Sequence, residues 1–248
     1  MSQVILITGA SRGIGAATAL LAARAGYAVA VNYSANSLAA DEVARQIREK
    51  GGTAITVQAD VAEESQVLAM FEKVDAKLGR LTALVNNAGV VDQTARVDGM
   101  SVARLKRMFD INVIGTMVCA REAIKRMSTR YGGAGGAIVN VSSVAARLGA
   151  PGQYVDYAAS KGAVDIFTLG LAKEVAAEGI RVNAVRPGII DTDIHASGGL
   201  PERARQIAPQ LPMLRAGTAD EVAHSIIWLL GSESSYTTGA LLDIGGGR

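Results

Sequence analysis

Seven short runs rich in β-branched and other apolar residues recur along the 248-residue chain, each separated from the next by a longer segment of helical pattern. They cover residues 4–8, 28–32, 53–58, 83–86, 137–141, 181–185 and 241–244. A strand with one wet face alternates apolar and polar residues. These runs are apolar at nearly every position, the pattern of strands covered by helices on both faces. Strand–helix–strand alternation joins neighbouring strands by crossovers, so the strands run parallel. The expectation is an α/β fold, a single-domain doubly wound parallel seven-stranded sheet over residues 1–248. Gly26, Gly51, Gly79 and Gly179 each follow a helical pattern, where a left-handed residue closes a helix without a Cβ clash. Thr218 and Glu221 have capping-box spacing before a helix that runs to about Leu230. The glycine-heavy stretch 131–136 is short and leads at once into a strand-like run, which makes it a loop and not a linker.

Between the first strand and its helix lies Thr8-Gly9-Ala10-Ser11-Arg12-Gly13-Ile14-Gly15. Gly9, Gly13 and Gly15 let backbone N–H groups and the helix N-terminus come close to a pyrophosphate. Their spacing, G-x-x-x-G-x-G, differs from the general dinucleotide fingerprint G-x-G-x-x-G. Further on, Tyr157 and Lys161 stand four residues apart and share one face of a helix. A phenol ionises near pH ~10 unless positive charge stabilises the phenolate, and Lys161 is placed to supply that charge. Asn86-Asn87-Ala88-Gly89 follows the fourth run, Ser142-Ser143 the fifth and Pro187-Gly188 the sixth. In this order the motifs resemble the short-chain dehydrogenase/reductase family over essentially the whole chain, which implies a Rossmann-type sheet.

The resemblance implies an active site of Ser, Tyr, Lys and Asn. Tyr157 would exchange the proton with an alcohol or carbonyl oxygen while a nicotinamide exchanges the hydride, and Lys161 would lower the phenol pKa and hold the nicotinamide ribose. The second hydroxyl should follow the fifth strand, where Ser143, fourteen residues before Tyr157, is the better match and Ser142 stays open beside it. Asn112 resembles the helical asparagine that supports a water-mediated proton path to the lysine. Asn87, Ala88 and Gly89 match the tripeptide after the fourth strand, and Pro187, Gly188, Ile190 and Thr192 the segment that holds the nicotinamide carboxamide. Asp60 and Val61 resemble the adenine-contacting pair, and Asp60 reads equally well as a turn cap.

A site that prefers NAD places an acidic residue at the end of the second strand. No Asp or Glu occurs before Asp41; Asn32, Tyr33 and Ser34 end that strand, and Arg12 sits in the glycine loop. A 2′-phosphate would meet hydroxyl and amide donors and one cation, which points to NADP(H). Arg12 reads otherwise as a solvated loop residue.

A formal charge of +2 with interspersed signs, and only ten aromatic residues, give no surface for nucleic acid. Cys119, the single cysteine, lies in an apolar helical segment as a packed residue. Neither His195 nor His224 has metal-ligand spacing with another histidine or the cysteine, so no metal site is expected. Without a basic region before a long apolar stretch, or an apolar run near about 18 residues, a cytoplasmic protein away from membranes is expected. The resemblance implies a homotetramer formed through the helices containing Asn112 and Tyr157. It also implies a substrate lid over about 190–215, where Gly198-Gly199 and Pro201, Pro209 and Pro212 fall. Arg147, Gln153, Tyr154 and His195 are candidates to line the pocket, and each reads equally well as solvent-facing. The stretch 151–186 resembles bacterial glucose dehydrogenase-like and carbonyl reductase-like members. Reductases of 3-oxoacyl thioesters on acyl-carrier protein tend to carry a basic residue just before the glycine that ends the catalytic helix, and this chain has Glu178 there. A dinucleotide-sensing or scaffold protein without turnover is the reading from another class.

Overall fold

The computed structural model describes residues 3–248. The strands are β1 (Gln3–Ile7), β2 (Tyr27–Tyr33), β3 (Ala54–Gln58), β4 (Ala83–Asn86), β5 (Gly136–Val141), β6 (Ile180–Pro187) and β7 (Leu241–Ile244). The helices are α1 (Gly13–Arg24), α2 (Ser37–Glu49), α3 (Glu64–Leu78), α4 (Val102–Phe109), α5 (Gly115–Met127), α6 (Ala145–Leu148), α7 (Val155–Val175), α8 (Ile194–Ser197), α9 (Arg203–Ile207) and α10 (Ala219–Leu230). All strands run parallel in one sheet, in the order β3-β2-β1-β4-β5-β6-β7.

Both faces of the sheet are apolar because both are covered. Ile5, Ile7, Val29, Val31, Val85 and Val139 turn to one face and pack with Ala19 of α1, Val43 of α2 and Ile226 of α10. Their strand neighbours Val4, Leu6, Ala30, Leu84, Ile138 and Val182 turn to the other, against Phe71 of α3, Ala123 of α5 and Leu171 of α7. Each large apolar side chain buried in this way contributes about 1.5–3 kcal/mol, which explains why the runs lack the alternation of a half-wet strand. Cys119 is buried in the second of these cores.

All seven predicted strands are present. β6 continues two residues beyond the predicted end, because Arg186 and Pro187 pair with Asp243 and Ile244 of β7. Of the four glycines expected to close helices, Gly26, Gly51 and Gly179 have φ of +90°, +81° and +79°. Gly79 also has positive φ, but its ψ of −168° sends the chain on extended instead of through a left-handed turn. The capping box of α10 is formed: Glu221 N–H donates to Thr218 Oγ1 at 3.2 Å, and Thr218 N–H to Glu221 Oε2 at 2.8 Å. Among the described residues, no helix is long and apolar enough to cross a membrane.

The strand order places the functional crevice. From β1 the chain moves outward through β2 and β3, then returns to pair β4 with the other edge of β1. The loops leaving β1 and β4 therefore diverge to opposite sides, opening a cleft at the carboxyl ends of the strands.

Candidate active site

Hydrogen bonds press the loop after β1 against the loop after β4. Thr8 Oγ1 accepts from the N–H groups of Asn87 and Ala88, both at 3.0 Å, and Asn87 Nδ2 donates to the carbonyls of Thr8 and Gly9, both at 2.9 Å. So close an approach needs glycine: Gly9 has φ of +61°, and a Cβ on Gly15 would stand 2.5 Å from the Gly9 carbonyl oxygen. Helix α1 starts at Gly13 with no side-chain cap on its first turn and no acidic residue in it. Its first N–H groups and its positive end are thus open to an anion.

The predicted cofactor residues divide into two groups. Asn32 is turned away from the crevice: its Oδ1 accepts from Gly9 N–H at 3.1 Å, and its Nδ2 donates to the carbonyls of Val57 and Ala59 at 3.2 and 3.1 Å. The expectation that its amide meets a 2′-phosphate is corrected, because that amide is spent inside the fold. Val61 likewise turns inward, its Cγ2 only 2.8 Å from where a Cβ on Gly115 would sit. Asp60 Oδ1 accepts from Ala62 N–H at 3.0 Å, the turn-capping geometry. Tyr33 is half-buried while Ser34 and Arg12 are exposed, and Arg12 Nη2 lies 3.5 Å from Ser197 Oγ. Thr192 faces the glycine loop across a narrow gap, its Cγ2 3.4 Å from where a Cβ on Gly13 would sit.

Helix α7 carries Tyr157 and Lys161. Lys161 is buried, and its Nζ donates to the Val141 carbonyl at 2.7 Å while lying 5.7 Å from the centroid of the Tyr157 ring. Ser142 and Ser143 separate clearly: Ser142 Oγ donates to the Lys161 carbonyl at 3.2 Å, while Ser143 faces the Tyr157 hydroxyl. Asn112 sits in a π turn, Asp110–Ile114, between α4 and α5. Its Oδ1 accepts from Val90 N–H at 2.8 Å, and its Nδ2 donates to the Val90 carbonyl at 3.0 Å and to Ser160 Oγ at 3.1 Å. At Gly89 a Cβ would lie 3.4 Å from both Asn112 Oδ1 and Lys161 Nζ, so this glycine leaves open the space beside both groups.

The electrostatics differ from the sequence expectation. Burial pushes the Tyr157 phenol up and Ser143 opposes it, so in this structure burial outweighs the lowering expected from the lysine. Burial also pushes the Lys161 ammonium down to about 8, opposed by Asp165 one turn along the helix. Asp165 pairs with Arg186 at 2.9 Å, Arg186 reaches Asp243 at 3.5 Å, and Asp243 pairs with Arg147 at 3.0 Å. Arg147, one candidate for the pocket wall, is held in this chain of charges. Gln153 and Tyr154 do line the crevice, which opens on Ser143, Tyr157 and Lys161. The side chain of His195 lies outside the described residues.

The segment 190–215 folds as α8, α9 and a short turn at Ala208–Gln210, with Ala204 and Leu211 buried against Ile189. Gly198 is packed beside Tyr154, and of the two adjacent glycines Gly199 alone has positive φ. Two residues of the crevice wall, Arg203 and Arg248, were not singled out by the sequence. Nothing in the local pattern marks either one, since each comes to the wall through tertiary packing.

Between about pH 8 and the usual lysine value of 10.5, the unfolded chain keeps a proton that folded Lys161 has lost. Stability then rises with pH across that window by about 1.4 kcal/mol per unit for this group. In urea unfolding from about pH 7 to about pH 9.5, the wild-type protein should therefore gain on a Lys161→Met variant once the pH passes about 8. A difference that stays constant over that range would show that the lysine pKa is not lowered.

Residues 9–248 match the family model described as Enoyl-(Acyl carrier protein) reductase. The uncharacterized oxidoreductase YgfF of Escherichia coli (strain K12) is 55% identical over 245 residues, covering 99% of both chains. Cis-4-hydroxycyclohexanecarboxylate dehydrogenase of Sinomonas cyclohexanicum is 40% identical over 248 residues, covering 99% of this chain and 96% of its own. Among solved structures, a double mutant of a short-chain dehydrogenase/reductase from Serratia marcescens superimposes with a TM-score of 0.91 at 32% identity, covering 100% of this chain and 98% of that one. Likeness along the full length, on a sheet of this strand order, makes the chain a member of the short-chain dehydrogenase/reductase family of oxidoreductases.

Proposed function

We propose that the protein is an NADP(H)-dependent oxidoreductase that interconverts an alcohol and a carbonyl on a small molecule, with Tyr157 as the acid/base. The observation that carries this reading is that Tyr157 and Ser143 face each other on one crevice, with Lys161 buried beside the phenol ring. Ser143 holds the substrate oxygen, and Tyr157 gives it a proton in reduction or takes one in oxidation. Because burial raises the phenol pKa, Tyr157 stays protonated at neutral pH, which suits reduction. Lys161, with a pKa of about 8, keeps most of its charge at neutral pH and favours the phenolate needed for oxidation.

The open start of α1, the glycine cradle and the space left at Gly89 fit a nicotinamide dinucleotide, which would supply the hydride donor or acceptor. Gly9, Ser11, Arg12, Gly13, Ile14 and Gly15 hold its pyrophosphate, and Asn87, Ala88 and Gly89 form the facing wall. Tyr157 and Lys161 hold the nicotinamide ribose, and Pro187, Gly188, Ile190 and Thr192 its carboxamide. Backbone groups of Asp60 and Val61 border the adenine. With Asn32 turned inward, Arg12, Tyr33 and Ser34 are left to meet the 2′-phosphate, and no carboxylate precedes Asp41 to repel it. Segment 190–215 is the substrate lid, already hydrogen-bonded to the pocket rim through Arg203 and Gln153 at 2.7 Å.

A relative named 3-oxoacyl-[acyl-carrier-protein] reductase, 40% identical over 247 residues, favours a second reading, a reductase of 3-oxoacyl thioesters. Against it stands Glu178, which accepts a hydrogen bond from Ser128 where such enzymes tend to present a cation. A non-catalytic dinucleotide sensor is separated from both by turnover alone. A homotetramer is supported by the exposed apolar side chains Phe109 (37%), Ile114 (49%) and Met117 (37%) around the π turn and Ile166 (70%) on α7. Sedimentation should give four times the 25.6 kDa chain mass, and a monomer at micromolar concentration would rule the assembly out.

Tyr157→Phe keeps the ring and removes the transferable proton, so kcat should fall by roughly three orders of magnitude with little change in cofactor affinity. Lys161→Ala should damage both. Near-normal turnover by the Phe variant in a nicotinamide absorbance assay over sugars, ketones and quinones would overturn the assignment.

Titrated side by side, NADPH should bind the protein more tightly than NADH, and Arg12→Ala should narrow the gap. Equal affinities in the wild-type protein would refute the reading of the β2 end.

A further inference from the structure

The crevice that opens on Tyr157 and Ser143 also takes in two guanidinium side chains, those of Arg203 and Arg248. Neighbouring arginines have carboxylate partners: Arg104 pairs with Asp156 at 2.7 Å, Arg186 with Asp165 at 2.9 Å and Arg147 with Asp243 at 3.0 Å. Among the described residues, Arg203 and Arg248 have none. Arg203 is held by neutral groups, its Nη2 donating to Gln153 Oε1 at 2.7 Å and its guanidinium 5.3 Å from the centroid of the Tyr154 ring. Arg248 is held by its backbone, whose carbonyl accepts from Arg147 Nη2 at 3.2 Å and whose N–H donates to the Gly245 carbonyl at 3.2 Å. Burial first, and then the charge of Arg203, push the pKa of the Arg248 guanidinium down, and both residues line the same crevice.

Two like charges gathered on one wall, with no Asp or Glu partner among the described residues, favour an anion that enters between them. The rest of that wall is largely apolar, with Val91, Val144, Leu148, Ile189 and Ile194 contributing to it. It suits an uncharged carbon body between a reacting end and an anionic end. Planar guanidinium forks match carboxylate geometry.

The geometry points to a substrate that carries a carboxylate remote from its carbinol or carbonyl carbon, recognised by Arg203 and Arg248. This inference rests on the hydride-transfer reading of the same crevice, and it narrows the substrate class to hydroxy acids and oxo acids.

The test sets a ladder of linear and cyclic oxo acids against their methyl esters, with the NADPH-saturated wild-type protein and the variants Arg203→Gln and Arg248→Gln. For the best oxo acid, kcat/KM should exceed that of its ester by about tenfold or more, and each variant should cut the acid-to-ester ratio about tenfold. The Arg248 side chain makes no hydrogen bond among the described residues, so its variant tests the charge without disturbing the fold. An acid-to-ester ratio near one in the wild type, or a ratio that both variants leave unchanged, overturns the inference.

Calorimetry with cyclohexanecarboxylate, which has no group to reduce, separates the two readings. Arginine-dependent binding with no turnover of any oxo compound would support the anion subsite and refute hydride transfer instead. Turnover of neutral ketones, with carboxylate binding that ignores both variants, would overturn the subsite alone.

Discussion

Two asparagines hold the β1–α1 loop from either side, and the crevice takes its shape from them. Asn32 reaches in from β2 to the Gly9 N–H, and Asn87 reaches in from β4 to the carbonyls of Thr8 and Gly9. Asn32 spends both ends of its amide within the fold, and Asn87 spends its Nδ2 there. Losing either leaves buried backbone groups unpaired, at about 1–3 kcal/mol for each group. With the loop fixed, the first N–H groups of α1 have a defined direction, and so does the Gly89 backbone opposite, beside Lys161 and Asn112. The glycines allow this close approach, and the asparagines hold the loops in it.

The helix that carries Tyr157 and Lys161 is secured at two points along its length. Near its start, Asp156 takes a bidentate ion pair from Arg104, with Nε at 2.7 Å and Nη2 at 3.1 Å, and Arg104 Nη1 also donates to the Gln93 carbonyl at 2.6 Å. One turn past the lysine, Asp165 opens a chain of charges through Arg186, Asp243 and Arg147 to the Arg248 carbonyl. Buried ion pairs of this kind add little net stability, because each partner loses its water. Their effect here is geometric. Tyr157 lies beside the first anchor and Lys161 before the second, so neither can shift without breaking a buried pair. The same chain joins the lysine to the wall on which Arg248 stands.

The fold was legible because burial on both faces leaves its mark on every strand. The shared helix face of Tyr157 and Lys161 was legible for a related reason, since helix periodicity is a local property of a chain, whereas Ser143 and Asn112 were reached through the family resemblance. Asn32 was misjudged because an asparagine at a strand end looks the same whether its amide turns outward or inward. Only the approach of Val57 and Ala59 from β3 settles that. Arg147 stayed open between pocket and solvent for want of a partner 96 positions away, Asp243, and Arg203 and Arg248 stand out only once the carboxylates around them are seen to be engaged elsewhere. The rise in the phenol pKa was equally hidden, because desolvation depends on how many groups pack round the ring and not on the lysine four residues along.

The π turn at Asp110–Ile114 holds one residue more than a continuous α-helix would. With 3.6 residues per turn, one inserted residue rotates everything after it by about 100° relative to everything before. Upstream, that phase turns Met108 inward; downstream, it turns Cys119, Ala120, Ala123 and Met127 onto the sheet. The bulge is therefore a phase shifter between two helical segments, and Asn112 lies within it. Excising a single residue there would move the fault well beyond the asparagine, because the sheet-facing side chains of α5 would swing toward solvent together.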